Sequence, residues 1–315
     1  MRDLKIVFMG TPEFAVQSLK AIIEGGYQVV GVVTAPDKPA GRGRKLQQSA
    51  VKKYAEEQNL PVLQPVNLKD PEFIEQLKAW KANLQVVVAF RMLPEIVWQL
   101  PEYGTFNLHA SLLPQYRGAA PINWAIMNGE TQTGVSTFFI DERIDTGEMI
   151  LQEEVAIGPE ESAGSLHDRL MVTGAQLIIQ TLEQIQMGPV FTTPQPSDGS
   201  LKSAYKLNRD NTRIDWSRSL DEIHNHIRGL SPFPTAWTEL QNNSESMIMK
   251  IYQARKELAA HRLEPGKIIQ EGRAAKVAVI GGFIHLEEIQ LPGKRKMKIK
   301  EFLNGYEFEK DAVVA

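Results

Sequence analysis

Asn107, Leu108 and His109 end an apolar run within NLHASLLPQYRGAAP, which spans Asn107 to Pro121. Successive side chains of a strand alternate between faces, so the carboxamide and the imidazole project together and Leu108 projects the other way. An amide N–H can donate to an oxyanion and an imidazole can move a proton, and the two together suit acyl-type transfer. A solvent-facing strand end would show the same residues without chemistry, and the tripeptide alone leaves both readings open. Further along, FFIDERIDTGEM from Phe138 to Met149 places Asp145 in a D-T-G turn. Such a carboxylate either caps an Asx-turn or, beside an imidazole, orients the ring and favours its charged form. Ser111 lies near, but no G-x-S-x-G elbow surrounds it, and the chain has no cysteine. With no covalent nucleophile, direct attack of one substrate on another is the simpler scheme.

The elements that must position these residues alternate along the first two hundred positions. LKIVFMG, YQVVGVVT, LPVLQP and LQVVVAF are short apolar runs, separated by amphipathic segments at 14–24, 50–58 and 71–81. Apolar runs without polar alternation fit strands covered on both faces, so the pattern predicts an α/β fold with a doubly wound, mostly parallel sheet. GTFNLH and TGVSTFFI add two strand candidates flanking a helix at 119–127, and a long helix is expected from about 162 to 187. A Pro-rich stretch, GPVFTTPQPSDGSL, reads as linker. Beyond it a helix at 219–229 precedes TAWTEL, MIMKIYQA, GKIIQ, AKVAVIGG and FIHLEEIQL, short strands of the kind that build a small antiparallel barrel.

Composition narrows the function classes. The 315 residues are 43% hydrophobic and 23% charged, with a formal net charge of -3, which describes a globular chain without a global bias toward nucleic acid. The opening MRDLKIVFMG is too briefly apolar for a secretory or membrane segment, so a cytoplasmic protein is expected. The first βα turn, MGTPEFA, has one glycine where a dinucleotide fold has G-x-G-x-x-G, and no P-loop motif occurs. Two stretches are locally basic. The Pro- and Gly-rich loop beginning DKPAGRGRK carries Lys38, Arg42, Arg44 and Lys45, and GKRKMKIK carries Lys294, Arg295, Lys296 and Lys298. Either suits solvated surface or contacts to a phosphate backbone.

Taken together, FMGTPEFA, APDKPAGRGRKL, FNLHASLLPQYRGAAPINWAI and RIDTGEM resemble the methionyl-tRNA formyltransferase family, as do KLNRDNTRIDWS, GLSPFP and PGKRKMKIKEFLNG in the second half. Asn-x-His, SLLP and the Asp of the D-T-G turn belong to the wider family using 10-formyltetrahydrofolate, while RGAAPI and PAGRG are typical of its tRNA-acting branch. The resemblance implies a Rossmann-like catalytic domain at 1–188, a linker at 189–206 and an OB-like, tRNA-binding barrel at 207–315. It implies that Asn107, His109 and Asp145 are catalytic, that Ser111, Leu112, Leu113 and Pro114 line the folate site, and that Arg91, Met92 and Leu93 hold the pterin through their backbone. AFRMLPE departs from the typical tRNA-acting pattern there and is closer to glycinamide ribonucleotide formyltransferase.

The implied reaction is transfer of a formyl group from 10-formyltetrahydrofolate to the α-amino group of methionyl initiator tRNA for translation initiation. No metal or membrane is implied, and a monomer is expected. Lys38, Arg42, Arg44, Lys45, Lys294, Arg295, Lys296 and Lys298 are the expected tRNA contacts. A relative formylating a sugar-nucleotide amine would keep the same three catalytic residues, and the basic stretches argue for RNA instead.

Overall fold

The structure is a computed structural model that describes residues 1–40, 45–196 and 201–315. Two compact units form, one from Met1–Gly118, Thr133–Val155 and His167–Ser203, the other from Ala119–Gln132, Ala156–Leu166 and Ala204–Ala315. The sequence-based division at 188 and 207 is linear, whereas the chain enters the second unit twice before its C-terminal part.

Strands of the first unit are β1 (Lys5–Gly10), β2 (Gln28–Val33), β3 (Lys38–Ala40), β4 (Lys45–Gln47), β5 (Val62–Leu63), β6 (Leu84–Val88), β7 (Thr105–His109), β8 (Arg117–Gly118), β9 (Gln132–Phe139) and β10 (Met149–Ala156), with β11 (Ser203–Ala204) at its end. Seven of them make one sheet in the order β10-β9-β7-β6-β1-β2-β5. The pairs from β5 through β7 are parallel, and β9 runs antiparallel to β7. All five residues of β6 are buried, as an apolar run covered on both faces requires. Strand order reverses between β1 and β6, the kind of switch point at which open α/β sheets leave a crevice at the carboxyl edge.

Helix α1 (Glu13–Glu24) follows β1. A Cβ at Gly10 would stand 2.6 Å from the Ala15 Cβ, so the lone glycine of the first turn serves close helix–strand packing. Helix α2 (Ala50–Glu57) is capped by Ser49 and α3 (Pro71–Ala79) by Asp70, each side chain accepting a free N-terminal amide. Short α4 (Glu95–Trp98) and α5 (Pro121–Met127) precede α6 (Ala163–Met187). Leu170, Leu177, Ile178, Leu182 and Ile185 of α6 are buried at helical spacing, and its Thr181 hydroxyl meets that of Thr137 on β9 at 2.8 Å.

Three sequence expectations change here. The basic 38–45 stretch is not simply a loop, because its flanks pair as the antiparallel hairpin β3–β4. β10 was not expected, because Gln152, Glu153 and Glu154 make it read as polar; it is an edge strand, where such residues face solvent. The expected linker is not a free tether throughout, because Thr193 exchanges both backbone hydrogen bonds with Met149 of β10, at 2.9 Å each.

In the second unit, α7 (Leu220–Gly229) begins with a reciprocal Ser219–Glu222 capping box. It precedes β12 (Ala236–Asn242), β13 (Glu245–Leu258), β14 (Ile268–Glu271), β15 (Ala274–Val279), β16 (Gly282–Gln290), β17 (Met297–Lys298), α8 (Ile299–Phe302) and β18 (Val313–Val314). The sheet order β14-β15-β16-β13-β12-β18 is nearly closed by hydrogen bonds from the Val314 amide to Gly266 O and from the Ile268 amide to Ala312 O, beside β14. Closure removes the exposed edges that an open sheet would present. Trp216, Ile223, Ile227, Leu240, Met249, Val277 and Ile284 fill its core.

Candidate active site

His109 is the last residue of β7, and Asn107 precedes it by one pleat, in register with Val87 of β6 and Phe138 of β9. Leu108 faces the other way and packs against Gly174 of α6, which fixes the side on which Asn107 and His109 emerge. His109 is 7% exposed, so this is not a solvent-facing strand end. Asn107 is half-buried, and among the described residues its carboxamide has no hydrogen-bond partner.

The ring of His109 is held from two sides. Its Nε2 lies 2.8 Å from the Tyr116 carbonyl, an acceptor that requires the proton on Nε2. Nδ1 is left as the nitrogen for chemistry, and Asp145 Oδ2 stands 3.7 Å from it. That separation is too long for a direct hydrogen bond and suited to an ion pair once Nδ1 is protonated. The same Asp145 oxygen accepts from the Gly118 amide at 2.9 Å, across 27 positions of sequence. Tyr116 and Asp145 have φ of +60° and +55°, left-handed conformations that cost a non-glycine residue about 1 kcal/mol and concentrate at functional turns.

The Asx-turn role belongs to a neighbour. Asp141 accepts from the Arg143 amide at 3.0 Å and the Thr146 hydroxyl at 2.8 Å, which leaves Asp145 to face His109. Gly147 ends the D-T-G turn where a Cβ would fall 1.7 Å from the Phe139 carbonyl oxygen, so the turn closes against β9 only with glycine.

Ser111 and Leu113 are buried and hold the next turn together. The Ser111 hydroxyl donates to the Gln115 carbonyl at 2.7 Å, and Ser136 Oγ donates to Ser111 O while accepting from the Leu113 amide. Gln152 Nε2 donates to Leu113 O at 2.8 Å. Of the four expected folate-site residues, half-buried Leu112 and Pro114 are therefore the ones that can offer side-chain surface. After β6, Arg91 donates to the carbonyls of Pro65 and Val66, Leu93 enters the core, and Met92 is 67% exposed. Arg91 thereby ties the segment after β6 to the segment after β5.

The basic stretches are surface features. Lys38 is exposed on β3, Lys45 opens β4, and Arg42 and Arg44 lie outside the described residues. Next to Lys38, hydrogen bonds from Lys52 and Gln64 hold the Asp37 carboxyl below its usual range. Lys294, Arg295, Lys296 and Lys298 are exposed on the barrel, with Lys296 paired to Glu288 at 2.7 Å and Arg295 to Glu301 at 3.6 Å. Among the described residues, no group of three or more His, Asp or Glu side chains could hold a metal ion, and no helix is long and apolar enough to cross a membrane.

Sequence reasoning missed Tyr116, Gly118, Arg117 and Gln195. The first two act through backbone atoms, which no residue type announces. Gln195 lies in the Pro-rich stretch, 78 positions from the Arg117 side chain it meets.

Comparison with known proteins decides the family. The model of the formyl transferase family matches residues 4–182, and that of the formyl transferase C-terminal domain matches residues 206–307. The chain belongs to the formyl transferase family. Among its relatives in that family, the methionyl-tRNA formyltransferase of Flavobacterium johnsoniae is 58% identical over all of both chains. That of Flavobacterium psychrophilum is 54% identical over the same share. A formyl transferase fold is also seen in the N-formyltransferase from Helicobacter canadensis, solved in complex with folinic acid and dTDP-3-aminofucose. It is 21% identical, has a TM-score of 0.66, and is matched over 90% of this chain and 98% of its own.

Proposed function

We propose that this chain transfers the formyl group of 10-formyltetrahydrofolate to the α-amino group of methionyl initiator tRNA, in the cytoplasm and as a monomer. The observation that carries the reading is the approach of His109 to Asp145 at the carboxyl edge of the sheet, with Asn107 on the same face of β7, in a chain that matches methionyl-tRNA formyltransferases from end to end. The carboxamide of Asn107, half-buried and with no hydrogen-bond partner among the described residues, fits an acceptor on a bound substrate.

The bound folate supplies a formyl carbon attached to a nitrogen leaving group. The α-amino group of an aminoacyl ester, which titrates near or below about pH 8, is sufficiently deprotonated near neutrality to attack that carbon. Asn107 donates its amide N–H to the formyl oxygen as negative charge develops. His109 Nδ1 takes the proton that the amine loses and returns it to the departing nitrogen, while Tyr116 O holds the opposite side of the ring. Asp145, fixed by the Gly118 amide, stabilises the transient imidazolium across the 3.7 Å gap. One N–C bond forms, one breaks, and a single proton changes place. Leu112, Pro114 and the backbone of 91–93 would border the folate. Lys38, Arg42, Arg44 and Lys45, together with Lys294, Arg295, Lys296 and Lys298, would meet RNA phosphates.

A formylation assay with 10-formyltetrahydrofolate tests the reading. Methionyl initiator tRNA should be formylated far faster than an elongator tRNA. Equal use of both, or preference for a sugar-nucleotide amine, would contradict it.

A further inference from the structure

Two turns wall the His109–Asp145 pair, and one side chain joins them. Gln195 Nε2 donates to the carbonyls of Asp145 and Gly147, at 3.1 and 2.7 Å. Its Oε1 accepts from Arg117 Nε and Nη2, at 3.1 and 2.7 Å. Arg117 stands between Tyr116, whose carbonyl holds the imidazole, and Gly118, whose amide holds the Asp145 carboxylate. We propose that Gln195 is a positioning residue for formyl transfer, with Arg117 as its anchor, and that the two set the separation between His109 and Asp145. The proposal rests on the catalytic reading given above.

The physical reason lies in what each turn leaves loose. Asp145 is in a left-handed conformation, so the direction of its side chain depends on how its own peptide is held. Gln195 grips that peptide at its carbonyl and grips Gly147 two residues on, which fixes the turn at both ends. Tyr116 is left-handed as well, and its carbonyl direction decides where the His109 ring sits. Through its charge-assisted hydrogen bonds Arg117 refers this second turn to the same glutamine. The ring of contacts therefore runs from His109 through Tyr116, Arg117 and Gln195 to Asp145, and back across the 3.7 Å gap. A carboxylate that must stabilise charge at that distance is sensitive to its placement, because a misplacement of about 1 Å can cost two orders of magnitude in rate.

The plainer alternative is that Gln195 only pins residues 189–196 against β10. A pin of that kind would affect stability and would be indifferent to the Asp145 carboxylate. A double-mutant cycle separates the two roles. In the full chain, with both substrates saturating, Gln195→Met keeps side-chain length and removes both donors. Its kcat should fall about tenfold or more, with KM for tRNA and for folate within about twofold and an unchanged melting temperature. In an Asp145→Asn background the same substitution should change kcat by less than about twofold. Gln195→Glu, which still accepts from Arg117 but cannot donate, should lose kcat similarly and covers the case in which the Met variant folds poorly. The proposal is overturned if Gln195→Met turns over like the parent, or loses the same factor in both backgrounds. Parent-like turnover in Asp145→Asn alone would overturn the catalytic reading too, which distinguishes that failure from one confined to Gln195.

Discussion

His109 is 7% exposed and gripped on one side by the Tyr116 carbonyl at 2.8 Å, whereas Lys294, Arg295, Lys296 and Lys298 stand exposed on the barrel surface, where Lys296 meets Glu288 and Arg295 meets Glu301. Around His109, position is enforced by backbone groups and by residues distant in sequence. Along 294–298 the four basic side chains are long and exposed, and surface ion pairs such as Lys296–Glu288 hold them only loosely. The contrast fits two kinds of work. Proton transfer and oxyanion stabilisation depend on tenths of an ångström, while attraction to a polyanion depends mainly on the number and location of charges.

The largest effects should come from the rigid region. His109→Ala and Asn107→Ala should each lower kcat by about two orders of magnitude or more, with tRNA affinity preserved, as rapid-quench formylation and filter binding would show. Parent-like turnover in either would break the contrast. Gly147→Ala, which drives a methyl into the Phe139 carbonyl, should cost about 3 kcal/mol in denaturant unfolding. An unchanged midpoint would mean that the D-T-G turn yields easily. The flexible region should respond more mildly. Lys298→Ala should raise KM for tRNA and reduce the slope of log affinity against log salt by about one, a change that titration across salt concentrations reads directly. A large loss of kcat at saturating tRNA would show that the barrel takes part in the chemistry.

The smallest effect expected is a pH dependence of stability in the second unit. Burial holds the imidazoles of His224 and His226 on α7 below their ordinary range. The unfolded chain therefore takes up protons at a higher pH than the folded one. Stability from these groups is fully present above the unfolded value, near pH 6.5, and is lost as pH falls through the lower folded values. His226→Asn should flatten the decline of melting temperature between pH 7 and 5. An unaltered slope would place the proton uptake elsewhere.

Much of the fold is legible in the sequence because contiguous apolar runs become strands covered on both faces, as β6 shows along its whole length. β10 escapes because an edge strand can carry Glu153 and Glu154 outward and so reads as polar surface. Strand alternation gives the shared face of Asn107 and His109, and Leu108 packed against Gly174 agrees with it. The residue types leave the partnership of His109 with Asp145 open and only family resemblance implies it, since chain folding rather than spacing brings them together. Nothing local signals the grip of Tyr116 O or the Gly118 amide, because every residue carries a backbone carbonyl and every one but proline an amide N–H. Gln195 is hidden for a related reason, having its meaning only through Arg117 and the Asp145 turn.

Single-turnover formyl transfer, measured at saturating 10-formyltetrahydrofolate and methionyl initiator tRNA, tests the division between the two regions most directly. His109→Ala should slow the step by about a hundredfold or more, while replacing Lys294, Arg295, Lys296 and Lys298 together by alanine should leave the saturated rate within about threefold and shift only the tRNA concentration required. A His109→Ala rate within a few fold of the parent, or a saturated rate that collapses with the four barrel substitutions, would contradict the account.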